Sequence, residues 1–135
     1  MGPLNDRVRD WTSSALVRLA ATACNAASIS WGLLMLMLAH DGWRVYALAT
    51  YAAAYGAVNL WLILRGAGQA AAAGRGQWVR VGSTLLNLSP PLVFLGLALA
   101  DGGAMLEWVG ALLMALPALL NWLAVRAALE PGAAR

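Results

Sequence analysis

Four long apolar stretches, at 15–39, 43–64, 78–100 and 105–125, constrain this chain more than any other feature. The hydrocarbon core of a bilayer is about 30 Å thick, so a helix rising about 1.5 Å per residue needs about 20 apolar residues to cross it. Each stretch meets that length. The expected fold is therefore all-α: an integral membrane bundle of four transmembrane helices. Composition agrees, because 61% of the 135 residues are hydrophobic and 11% charged, with a mean hydropathy of +0.68, far from the balance of a soluble domain.

The remaining residues give the domain plan: an N-terminal segment at 1–14, a first hairpin at 15–65, a linker at 66–77, a second hairpin at 78–126 and a tail at 127–135. The linker reads GAGQAAAAGRGQ; lacking an apolar face to bury, it is expected to be flexible. The first apolar stretch is long and three more follow it, which predicts a retained span and not a cleaved signal.

All nine basic residues are Arg, and Ala and Gly are abundant, a composition that points to a bacterium of high genomic GC content. Arg7, Arg9, Arg18, Arg65, Arg75, Arg80, Arg126 and Arg135 fall on one side of the four-span zigzag and only Arg44 on the other. The positive-inside rule then puts both termini and the linker in the cytoplasm of a multi-pass protein of the bacterial inner membrane. The net charge of +3 does not imply nucleic acid, since the Arg residues mark span ends and form no basic face. Trp11, Trp43, Trp61, Trp78, Trp108 and Trp122 lie near span ends, where an indole anchors at the interface. Trp31 sits mid-span and reads as a packed or lipid-facing ring.

The chain also reads as a duplication. Arg18, Thr22 and Asn25 recur 62 residues later as Arg80, Thr84 and Asn87, and Trp61-Leu62-x-x-Arg65 recurs 61 later as Trp122-Leu123-x-x-Arg126. Asp41-Gly42 and Asp101-Gly102 stand 60 apart in the outer turns. Two tandem two-helix hairpins are expected, related as parallel repeats about a pseudo-twofold axis along the membrane normal.

Counted from the flanking Arg18, Arg65, Arg80 and Arg126, the amides Asn25, Asn59, Asn87 and Asn121 all lie at a depth of about 8–11 Å. With Thr22 and Thr84 they form one polar layer beneath a ring of cytoplasmic Arg residues. Such residues act as interhelical glue at about 0.6 kcal/mol per hydrogen bond, or they line a pathway for a small polar or ionic species. Pro90, Pro91 and Pro117 fall inside the third and fourth stretches. Each proline releases the carbonyl four residues back, which belongs to Leu86, Asn87 and Leu113 respectively.

His40, Asp41, Asp101 and Glu107 make an outer polar cluster. One His beside an Asp in a turn is ordinarily solvated, so no metal site and no cofactor are expected. Cys24 is the sole cysteine, which rules out an intrachain disulfide and any CxxC motif. No nucleophile paired with a base, carboxylate dyad or phosphate loop is visible, and no enzymatic activity is expected. The leading functional reading of the sequence is a small transport or channel-type protein using the Asn/Thr layer. The alternative is a non-catalytic accessory or assembly subunit whose small-residue faces, Ala52-x-x-x-Gly56 and Gly96-x-x-x-Ala100, dock another membrane protein. Beyond the lipid bilayer, the expected partner is a homo-oligomer or a larger membrane protein, with no nucleic acid.

Overall fold

The computed structural model describes the backbone of residues 3–38, 42–100 and 105–129, and the side chains of 15–38, 42–100, 108, 109 and 111–129. Among the described residues every regular element is helical: α1 (Pro3–Leu38), α2 (Trp43–Trp61), a π-helical turn (Leu62–Gly66), α3 (Ala67–Ala72), α4 (Gly76–Ala100) and α5 (Met105–Ala128). Four stretches are long and apolar enough to cross a membrane: Ala15–Leu38, Trp43–Ala72, Gly76–Ala100 and Ala111–Ala128. The chain is thus a multi-pass membrane protein with four spans. N-terminal to the first span, α1 runs on back to Pro3, where proline's fixed φ and missing N–H suit a first helical turn.

The expected flexible linker at 66–77 is largely helical. Alanine is the best helix former, and the alanines at 67 and 70–73 carry that propensity irrespective of any apolar face. After Ala72 the chain turns through a C-cap in which the Arg75 amide donates to the Ala70 carbonyl at 2.7 Å and the Gly74 amide to the Ala71 carbonyl at 3.1 Å. This paired pattern requires a left-handed residue at its apex. Gly74 supplies it at φ 71°.

The chain divides into two compact units, Met1–Gly66 and Ala67–Arg135. In the first, α1 packs on α2 along a seam of small residues: Ala21, Asn25, Ser28 and Gly32 from α1 face Ala49, Ala52, Gly56 and Asn59 from α2. Spacings of three and four keep one stripe of each helix in register. A Cβ on Gly32 would stand 2.6 Å from the Ala49 carbonyl oxygen, and one on Gly56 2.8 Å from the Asn25 carbonyl oxygen. Ala52 and Gly56, read from sequence as a docking face, therefore serve the hairpin's own seam.

In the second unit α4 packs on α5. Ser83, Asn87, Pro90 and Ala98 are the buried positions of α4, and Ala118, Asn121, Ala124 and Val125 those of α5. Neither Gly82 nor Gly96 closes this seam, because a Cβ on either meets nothing within 4 Å. Outside the seams the helices present carbon: Leu16, Leu33, Leu85, Leu99 and Leu112 are all exposed, as is Trp31 on the outer face of α1.

Candidate functional site: the polar seams of the hairpins

All four amides singled out in the sequence are buried, with exposures of 1% at Asn25, 0% at Asn59, 4% at Asn87 and 0% at Asn121. Helical spacing places them there. Asn25 occupies the α1 stripe between Ala21 and Ser28, and Asn59 follows Gly56 by three on α2. The Asn59 side-chain amide donates to the Tyr55 carbonyl at 3.1 Å, and that of Asn87 to the Ser83 carbonyl at 2.9 Å. Both bonds reach back one turn of the same helix, which supplies the polar partner that burial demands.

The two threonines sit beside the seams and not in them. Thr22 and Thr84 are half-buried, one position past the fully buried Ala21 and Ser83. The Thr84 hydroxyl donates to the Arg80 carbonyl at 2.7 Å and accepts from the Trp122 indole N–H at 3.1 Å, tying α4 to α5. Sequence reasoning missed two hydroxyls that the seams do use. Ser28 donates across to the Ala52 carbonyl at 2.9 Å, and buried Ser83 to the Arg80 carbonyl at 3.2 Å. Their signal is available in the chain: Ser28 stands three residues after Asn25, and Ser83 four before Asn87, the spacings of one helix face.

The prolines of α4 come with local compensation. The Leu86 carbonyl, which loses its helical donor at Pro90, accepts from the Ser89 hydroxyl at 2.6 Å. A Ser before Pro thus repairs the backbone locally, as membrane helices require.

The four Arg residues of the ring occupy different settings. Arg18 reaches across the first hairpin to donate to the Ile63 carbonyl in the π-turn at 3.4 Å. Arg65 and Arg80 are exposed. The Arg126 guanidinium lies 4.2 Å from the centre of the Trp122 ring, a cation–π contact one turn apart on α5. His40, Asp41 and Asp101 lie outside the described residues, and Glu107 lies on α5 with its side chain outside them.

One cleft accompanies these features. It opens between α4 and α5 with a volume of about 360 Å³, lined by Thr84, Asn87, Leu88, Pro91, Ala118 and Trp122 among others. Its walls are almost wholly carbon. The polar groups gather at one end, where the Thr84–Trp122 bond closes the floor.

No protein-family model, curated protein or solved structure matches the chain.

Proposed function

We propose that the chain is a non-catalytic accessory or assembly subunit of the bacterial inner membrane, acting through helix–helix association with a larger membrane protein. The observation that carries this reading is where the polarity goes. The membrane amides are buried at 0–4% exposure, and two of them satisfy their own helix. The bonds that cross between helices, from Ser28 to the Ala52 carbonyl and from the Trp122 indole to Thr84, fix register within each hairpin. Meanwhile only 17–33% of the most apolar window of each span is buried within the chain, leaving broad carbon surfaces for lipid or a partner.

The unit is read as two tandem copies of one hairpin. Buried positions recur 62 residues apart: Ala21 and Ser83, Asn25 and Asn87, Gly56 and Ala118, Asn59 and Asn121, Leu62 and Ala124, Ile63 and Val125. A shared seam register supports duplication more strongly than the Trp-Leu-x-x-Arg motif, whose copies stand 61 apart and so fall one position out of that register. Eight Arg against one supports cytoplasmic termini.

A transport role is the second reading, favoured by the cleft that reaches Thr84 and Asn87. Purification in mild detergent separates the two. Recovery of the chain in a stoichiometric complex with another membrane protein is the expected result. A homo-oligomer that conducts ions or small polar solutes in reconstituted vesicles would overturn it and give transport the lead.

A further inference from the structure

The α4–α5 cleft, whose Thr84 and Asn87 end favours the transport reading, has along the rest of its length a chemistry that neither functional reading uses, and it lies within the second hairpin. Glycines bring α1 and α2 into backbone contact, whereas in the second hairpin Pro91 of α4 and Trp122 of α5 line an opening beside the seam. The opening is lined by Leu88, Pro91, Ala115 and Leu119, with Leu88 and Leu119 each 51% exposed at its rim. From Thr84 to Pro91 the wall runs about 10 Å along the helix. It is a channel for hydrocarbon, not for water.

Cations mark one end only. Arg126 lies over the face of Trp122, itself a wall of the cleft, and Arg80 stands one turn before Thr84 on α4 with its side chain exposed. The order along the cleft is therefore guanidinium, indole, the Thr84 hydroxyl, the Asn87 amide, then carbon. This order matches a glycerophospholipid from phosphate through the glycerol esters to an acyl chain. A guanidinium stacked on an indole keeps its N–H fork free for a phosphate in the ring plane. We propose that the cleft is a binding site for an anionic phospholipid, its phosphate held by Arg126 and Arg80 and one acyl chain lying between α4 and α5. The positive end selects for net negative headgroups, because zwitterionic lipids bring their own cation to the same place.

Native mass spectrometry of the full chain, purified in mild detergent and offered phosphatidylglycerol or phosphatidylcholine of identical chains, tests the site. The expected result is preferential retention of phosphatidylglycerol. Replacing both cations, Arg80→Gln with Arg126→Gln, is expected to weaken that retention roughly 10- to 30-fold. Ala115→Phe fills the cleft without touching a charge, and should reduce retention of the anionic lipid with both Arg residues intact. Helical circular dichroism on each variant confirms that the bundle persists. Equal retention of the two lipids, or undiminished phosphatidylglycerol binding in either variant, would overturn the proposal. So would a disulfide-linked dimer formed through Leu119→Cys in a Cys24→Ala background, because a second copy would then occupy the cleft.

Discussion

Gly32 and Gly56 set how closely α1 and α2 approach, since a side chain at either position would run into backbone atoms of the opposite helix at 2.6–2.8 Å. Backbone cannot yield as a flexible side-chain tip does, so the helices must separate and the Ser28 bond to the Ala52 carbonyl must lengthen. Gly32→Leu or Gly56→Leu is expected to destabilise the first hairpin by about 1–3 kcal/mol, the usual range for overpacking. Gly82→Ala, which adds its methyl to open space, is expected to cost nothing. Detergent-titration unfolding of the three variants checks this, and equal stabilities would mean that the glycine seam does not form. At this scale much of the polar seam is legible in the sequence, because Asn is rare enough in apolar helices to announce itself. Ser28 and Ser83 are legible only through their spacing from Asn25 and Asn87, since serine by itself is unremarkable in an apolar helix. Thr22 and Thr84 share the amides' approximate face, yet one residue of helix is 100° of rotation, and that separates a seam from its edge.

Hydropathy alone finds the four spans, because in lipid a long apolar run must be a helix, although the second runs on past the expected Leu64 to Ala72 and the fourth past Val125 to Ala128. The linker shows where that constraint stops. Residues 66–77 carry no apolar face, and composition suggests flexibility, but helix propensity in an alanine run needs no face to bury. Equally invisible from sequence is the π-turn at Leu62–Gly66, where the Trp61 ring lies so close to Gly66 that a Cβ there would stand 2.7 Å from its Cε3. Such widened turns arise from packing and not from propensity. Element order and the asymmetry of Arg lead to an expected topology. Reporter fusions after Ala70 and after Gly103 should report opposite sides of the membrane, with the first cytoplasmic. Fusions that report the same side would remove one of the spans.

For the whole molecule the deciding question is whether the seams are wet. Depth and polarity, read from sequence, favour a hydrated layer: four amides about 8–11 Å below four Arg residues exceed what register alone needs. Burial favours the opposite. Each of the four is at most 4% exposed, and the side-chain amides of Asn59 and Asn87 each donate to a carbonyl of their own helix. Cys24 makes the test direct, since Cys24→Ala leaves a cysteine-free chain. Into it single cysteines replace Asn25, Asn59, Asn87 or Asn121, with Arg75→Cys, at an exposed turn position, as the reactive control. A small membrane-impermeant thiol reagent modifies thiolates, and a thiol in a dry apolar seam ionises poorly. In intact membranes opened to the reagent on both faces, we expect rapid labelling of the control and protection at all four seam positions. Labelling of residues from both hairpins at rates near the control would mean that water reaches the layer. The polarity would then line a pathway, and the transport reading would displace the accessory one.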